Sequence, residues 1–453
     1  MITESLYIGK KARSNHTLEQ RLDHLKTLEN LLRTHEADFI SALHEDFQKP
    51  EFESFLTEIF PVLEEIKVAK KNLKRWIRPH SVGTPLPLLP SRASIRYEPK
   101  GVVLIIGAWN YPINLTLAPV VAALAAGNQV LLKPSELAPA TAKLLNTLFS
   151  THFTDRVCQV VEGDGPFTSN LLNEPFDHIF YTGSTQVGKI IYEKAAQQLC
   201  PVTLELGGKS PAIFDEDAPM YPLVKRMIWG KFVNAGQTCV APDYVLLPIH
   251  RKQEFIEATH KALTELQLHD PKNQCQIIND RNFNRIGHML DGQYELIAGG
   301  QVDVENRRIM PTIMFLPDAR HKLMQQEIFG PVLPVITYAS WEDIQTIYNQ
   351  HPNPLALYIF STKESFTQKI LDRLPSGGVV VNDTLMHLAN SNLPFGGRGA
   401  SGFGHYHGFH GFQTFSHAKS VLQQPTWFEP WFRYAPYTEG RYTFLRRLIG
   451  FFV

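Results

Sequence analysis

The stretch G-V-V-L-I-I-G, residues 101–107, is a short, unbroken apolar run rich in β-branched residues, the pattern of a strand buried on both faces. A helical pattern follows from Leu115 to Gly127. N-Q-V-L-L-K-P-S-E at 128–136 is a second such strand, and Leu137 to Phe149 a second helix. V-C-Q-V-V-E-G-D-G-P (157–166) and D-H-I-F-Y-T-G-S (177–184) supply the third and fourth strands. Strands alternating with helices predict βαβ units and an α/β fold with a doubly wound parallel sheet. G-D-G-P itself (163–166) reads as a turn. Ligands bind such sheets at the carboxyl ends of the strands, so the informative residues are those just after each strand.

Downstream, the pattern repeats. P-A-I-F-D (211–215), a helix beginning near Met220, Y-V-L-L-P (244–248), a helix from Lys252 to Leu266, and the runs 331–338, 356–361 and 377–383 predict a second α/β unit. Upstream, from about Asn15 to Arg78, Leu18, Leu22, Leu25, Leu28, Leu31 and Leu32 recur at helical spacing, and a further helix is expected from near Glu53 to Trp76, ended by Arg78-Pro79. Between them, Ser81–Lys100 is interrupted by prolines. It is expected as an extended arm or hairpin rather than a central strand.

At 453 residues the chain exceeds one ordinary core. Lys plus Arg equals Asp plus Glu at 44 each, which leaves no global field to attract nucleic acid. The four cysteines, Cys158, Cys200, Cys239 and Cys275, form no C-x-x-C pair, which argues for a reducing compartment and against a disulfide framework or zinc site. No apolar segment reaches the length of a bilayer span, and the N-terminus lacks the apolar core of a signal peptide. A cytoplasmic protein is expected.

The chemistry-bearing residues fall where the sheets predict them. Asn110, in G-A-W-N-Y-P after the first strand, offers two N–H donors able to hold a developing alkoxide, or serves as a turn residue before proline. Lys133 and Glu136, in K-P-S-E, have the charges to contact a ribose or phosphate, and Ser135 with Glu136 equally fits helix-start capping. In T-G-S-T-Q-V-G-K (182–189) two glycines bracket the start of a helix, where free N–H groups receive a pyrophosphate. The stretch is not the G-x-G-x-x-G fingerprint, of which no proper copy is found, and no P-loop occurs. Glu205, in L-E-L-G-G-K-S-P, has apolar neighbours that raise a carboxyl pKa toward neutrality, if the side chain faces inward. Cys239, in F-V-N-A-G-Q-T-C-V-A-P-D-Y, follows small residues that leave its thiol accessible. Alone it reads more readily as a buried hydrophobe.

Together these motifs carry a resemblance. W-N-Y-P, K-P-S-E, G-S-T-x-V-G, L-E-L-G-G-K-S-P, G-Q-T-C, E-I-F-G-P (327–331), L-P-F-G-G (393–397) and Y-H-G followed by T-F-S-H stand in the order found in NAD(P)-dependent aldehyde dehydrogenases. The chain is most similar to their class 3 branch, which acts on fatty and aromatic aldehydes, and the resemblance runs from about Leu18 to Lys419. It implies an aldehyde-dehydrogenase-like fold: a Rossmann-variant cofactor domain (1–80 and 101–205), a catalytic domain (206–390), and a small β oligomerisation arm (81–100 with part of 391–453), assembled as a homodimer. It implies NAD or NADP as cofactor and an aldehyde substrate, probed by Cys239 as nucleophile, Glu205 as base and Asn110 as oxyanion donor together with the Cys239 backbone N–H. Lys133 and Glu136 match the adenosine-ribose contacts, Gly183, Ser184, Thr185, Gln186, Val187 and Gly188 the phosphate turn, and Glu327 with Phe329 the nicotinamide ribose. Intact Cys239, Glu205 and Asn110 count against a catalytically dead homologue, and Glu205 against acyl transfer to coenzyme A.

His405, His407 and His410 lie in a glycine-rich stretch, and no metal site is expected there. The tail after Lys419, with W-F-E-P-W-F-R-Y-A-P-Y and T-F-L-R-R-L-I-G-F-F-V, matches less well. Its aromatics and arginines suit a membrane surface or a cover over a substrate funnel. Packing on the protein's own surface or on a partner subunit is the preferred alternative.

Overall fold

The computed structural model describes residues 16–452. The signal-peptide expectation concerns residues outside the described ones. Two open sheets organise the chain. In the first, Val102–Ile106 lies between Gln129–Lys133 and His178–Gly183, with Cys158–Val160 and Val202–Leu206 flanking, all parallel. Every residue of Val102–Ile106 is buried, as the unbroken apolar run requires. The helix Asn114–Ala126 packs behind it, apolar on nearly every side because it too is enclosed.

The second sheet has seven strands, six of them parallel: Thr312–Phe315, Val332–Tyr338, Tyr244–Pro248, Pro211–Phe214, Ala356–Phe360 and Gly378–Val381 in spatial order. Glu295–Ala298 closes one edge antiparallel. Neither this edge strand nor Thr312–Phe315 was anticipated. The first is mostly exposed and the second is only four residues long, so neither stands out as an apolar run.

Three expectations need correction. The N-terminal helical region holds Leu18–Thr34, a separate helix Glu36–Phe47, and a long helix from Glu51 to Trp76 interrupted by a π-helical turn at Phe55–Ile59. Within 81–100, Arg92–Pro99 is the central strand of a three-stranded antiparallel sheet between His80–Val82 and Ser416–Gln423. The prolines do not prevent this, because Pro85, Pro87 and Pro90 lie in the connecting turn and Pro99 ends the strand. G-D-G-P opens a helix, Gly165–Leu171, with Asp164 as its cap. Besides giving Ser416–Gln423 to the arm sheet, the chain after 390 returns to the first sheet: Gly402–Phe403 pairs with Val202–Leu206, placing Gly402 opposite Glu205.

Candidate active site

The segment after Met220–Phe232 is a tight turn of three left-handed residues: Asn234 (φ 56°), Ala235 (φ 51°) and Gly236 (φ 71°). Gly236 is obligatory, since a Cβ there would stand 2.3 Å from the Gly330 carbonyl. Asn234 tolerates the conformation because its side chain is fully engaged, donating to the carbonyls of Asn110 (2.8 Å) and Gln237 (3.1 Å). This turn delivers Cys239 to a partly exposed position among buried neighbours.

The Asn110 loop meets it directly. The Asn110 amide is buried and donates to the Gln237 carbonyl at 2.9 Å, which leaves one N–H of the amide for another acceptor. Beside it, the Tyr111 hydroxyl and Thr238 Oγ1 lie 2.6 Å apart. Two buried charges from the N-terminal helices brace the junction. Glu58 accepts from the N–H groups of Ile113 (3.1 Å) and Asn114 (3.0 Å), and Lys49 pairs with it at 2.9 Å while lying over the Tyr111 ring. Nothing local in the N-terminal sequence marks these two residues as supports for a loop more than fifty positions away.

Glu205 sits on Val202–Leu206, buried, with neither carboxyl oxygen hydrogen-bonded among the described residues. Burial pushes its carboxyl well above the usual range. Glu327 is pushed up to about 8 by burial and by Asp243, against the opposing effects of the Gly208 N–H, Lys209 and Arg285. The Cys239 thiol is pushed up to about 12 by burial, with the Glu327 and Glu205 carboxylates adding to it, while the N–H groups of Cys239 and Val240 pull the other way. Both carboxylates therefore lie near enough for their charge to oppose ionisation of the thiol.

The E-I-F-G-P loop is held rigidly. Asp243 accepts from the Ile328 N–H (2.9 Å) and pairs with the buried Lys209, which also donates to the Leu323 carbonyl at 2.6 Å. Arg285 donates to the Glu327 and Ile328 carbonyls. Phe329, at φ 51°, places its ring edge-to-face on Trp109, 5.3 Å between centroids, tying this loop to the one carrying Asn110. Lys209, Asp243 and Arg285 were not singled out from the sequence. Lys209 lies within a quoted motif, but its burial is a tertiary fact.

At the carboxyl end of the first sheet, the helix Thr185–Gln197 begins directly after His178–Gly183. Ser184 caps it by accepting from the Val187 N–H at 3.3 Å, so the N–H groups of Thr185 and Gln186 emerge from the helix end. Gly188 allows the helix to lie against Leu206, where a Cβ would stand at 2.7 Å, and Gly207 does the same for Glu327 at 2.1 Å. Lys133 is buried and ion-paired with the half-exposed Glu136. The following helix is capped instead by Asp46, which accepts from Ala140 (2.9 Å) and Thr141 (3.0 Å). A helix end with free donors, close-approach glycines and a lysine–glutamate pair beyond it form a chain of contacts suited to a dinucleotide.

The model of the aldehyde dehydrogenase family matches residues 8–421. This chain belongs to that family. The aldehyde dehydrogenase falls in its class 3 branch and oxidises aldehydes to carboxylic acids with NAD(P)+. It is 42% identical over 430 residues to 4,4'-diaponeurosporen-aldehyde dehydrogenase of Staphylococcus aureus, covering 94% of each chain. With the dimeric NADP-preferring aldehyde dehydrogenase of Canis lupus familiaris it shares 43% identity over 411 residues, 90% of each. The solved substrate-bound state of Staphylococcus aureus AldH superposes with a TM-score of 0.95 at 40% identity, over 99% of each chain.

Of the histidines near the C-terminus, His407 is buried and pairs with Glu65 at 2.7 Å, while the His405 and His410 rings meet edge-to-face. No helix among the described residues is long and apolar enough to cross a membrane.

Proposed function

We propose that the aldehyde dehydrogenase works through Cys239, Asn110 and Glu205. The observation that carries this is the buried Glu205, with no partner on either oxygen and close enough for its charge to raise the Cys239 thiol. Glu205 takes the thiol proton, and the thiolate adds to the aldehyde carbon. The resulting oxyanion is held by the spare N–H of Asn110 and the backbone N–H of Cys239. The hydride leaving this carbon would pass to NAD(P)+ when it is bound, and the carbon stays on sulfur as a thioester. Glu205 gives the thiol proton up to solvent and, ionised again, removes a proton from water, which attacks the thioester. The C–S bond breaks, the acid leaves, and the sulfur is again available.

Residues 1–80 and 101–205 are proposed as the cofactor half and 206–390 as the catalytic half. Lys133 and Glu136 would hold the adenosine ribose, Gly183 to Gly188 the pyrophosphate, and Glu327 with Phe329 the nicotinamide ribose. Glu136 disfavours a 2′-phosphate by charge, and initial rates with NAD+ against NADP+ decide the preference. The substrates are proposed to be medium- to long-chain aliphatic or aromatic aldehydes; the Staphylococcus aureus relative is named for 4,4'-diaponeurosporen-aldehyde. The homodimer is proposed from the exposed arm sheet and the dimeric relative.

A specific observation favours peripheral membrane contact by the tail. Trp427, Trp431 and Tyr437 are exposed ahead of the terminal helix Glu439–Phe452, which carries the exposed Tyr442, Phe444 and Ile449 together with Arg441, Arg446 and Arg447. Sedimentation with anionic vesicles of the full chain against one ending at residue 423 tests this.

The mechanism is tested by Cys239→Ala, which should abolish NAD(P)H production while cofactor binding persists. Retained activity overturns the assignment.

A further inference from the structure

The turn that carries Cys239 is not held by its own segment alone. Asn234, the first of its left-handed residues, has its backbone N–H bound at 2.9 Å by Glu53 Oε1, from the helix start at Glu51–Ser54. The Cys275 thiol lies 3.4 Å from both Glu53 Oε1 and Asn234 Oδ1, closing a three-residue ring. The other end of the Asn234 side chain donates to the carbonyls of Asn110 and Gln237, and Asn110 donates to that same Gln237 carbonyl. Asn234 thus joins the nucleophile's turn to the oxyanion loop, alongside the Asn110–Gln237 and Tyr111–Thr238 contacts, and Glu53 accepts from its backbone N–H. A left-handed asparagine followed by a left-handed alanine persists only where the surroundings over-determine it.

We infer that Glu53 is a positioning residue for aldehyde oxidation: by clamping the Asn234 N–H, with Cys275 bridging, it fixes the relative pose of the Cys239 thiol and the Asn110 amide. The inference rests on the assignment of Cys239 and Asn110 above. Displacements of about 1 Å at a reacting centre can cost about a hundredfold in rate, so a clamp of this kind is visible in kinetics. Cofactor affinity should not register it, because Glu53 touches none of the residues assigned to the dinucleotide.

The test compares Glu53→Ala, which removes the acceptor, with Glu53→Gln, which keeps an acceptor oxygen. Readouts are kcat, the KM for NAD+, and the rate at which iodoacetamide alkylates Cys239 in the cofactor-free enzyme. Glu53→Ala should lower kcat about tenfold or more and change the alkylation rate, with the KM for NAD+ within about twofold. Glu53→Gln should recover most of kcat. Combining Glu53→Ala with Cys275→Ala should cost less than the sum of the two, since both act on Asn234. If Glu53→Ala does not fold, Glu53→Asp, whose shorter side chain cannot reach, takes its place. A kcat within about twofold of the parent, or a loss in Glu53→Gln equal to that in Glu53→Ala, overturns the inference. Cys239→Ala run alongside separates the two failures. An active Cys239→Ala overturns the nucleophile, whereas an inactive Cys239→Ala with a normal Glu53→Ala overturns only the clamp.

Discussion

The Asn110 side-chain amide donates to the backbone carbonyl of Gln237 at 2.9 Å, two residues before Cys239. One hydrogen bond therefore does two things. It locks the plane of the amide, and it leaves the second N–H of that amide as the free donor. Preorganised donors of this sort stabilise charge that develops only in the transition state, and they need no reorganisation when it appears.

Replacing Asn110 with Ala should lower kcat by about a hundred- to a thousandfold, the usual cost of one lost oxyanion donor. The KM for NAD+ should change little. Steady-state kinetics with hexanal checks this, and a kcat within tenfold of the parent would remove Asn110 from the reaction.

Glu205→Gln keeps the size of the side chain and loses the base. The first turnover should still release NAD(P)H, more slowly because the thiol proton loses its acceptor, followed by accumulation of a thioester on Cys239 visible by mass spectrometry of the quenched enzyme. In the parent, burial raises the Glu205 carboxyl, so deacylation should quicken as pH rises through its pKa and Glu205 becomes ionised. The Gln variant should lose that limb of the pH profile. An unchanged steady-state rate in Glu205→Gln would exclude it as the water-activating base.

Glu327 links pH to stability. Its folded-state pKa of about 8 lies above its unfolded value, so the native state binds the extra proton more tightly. Stability from this group is fully present below the unfolded pKa and is lost as pH rises toward 8. Glu327→Gln should therefore raise the Tm of the cofactor-free protein at pH 8 and change it little at pH 5. Differential scanning calorimetry at the two pH values decides, and a larger gain at pH 5 would contradict the argument.

The Lys49–Glu58 pair is wholly buried on both sides, so breaking it is costly. Lys49→Met should leave Glu58 as an unpaired buried carboxyl and destabilise the fold by about 3–5 kcal/mol, read from urea unfolding. Adding Glu58→Gln should recover part of that loss. A single-variant loss below about 1 kcal/mol would mean that the carboxyl simply takes up a proton at no great cost.

Much of this protein was legible in one dimension. The run 101–107, the strand-end positions of Asn110 and Lys133, and the helix start at Thr185 follow from local hydrophobic pattern and turn chemistry, because a doubly wound sheet presents ligand-facing residues at strand ends. Cys239 and Glu205 could be named only because several motifs stood together in order. Alone, Cys239 reads more readily as a buried hydrophobe, and Glu205 carries chemistry only if its side chain faces inward.

The rest was decided by the tertiary structure. The strand that carries Glu205 gains its second edge only from Gly402–Phe403, returning from nearly two hundred residues away, and the burial of its carboxyl is a tertiary fact. Glu53, Glu58 and Lys49 look like ordinary helix-surface charges, and only packing turns them into supports for loops near residues 110 and 234. Arg92–Pro99 became a central strand because Ser416–Gln423 completed its second edge. The physical reason is the same throughout. Local sequence determines backbone preference and the sequence of strands and helices. Burial, and with it the pKa values, the free donors and the unpartnered carboxyl that give the site its chemistry, comes from contacts between segments far apart in the chain.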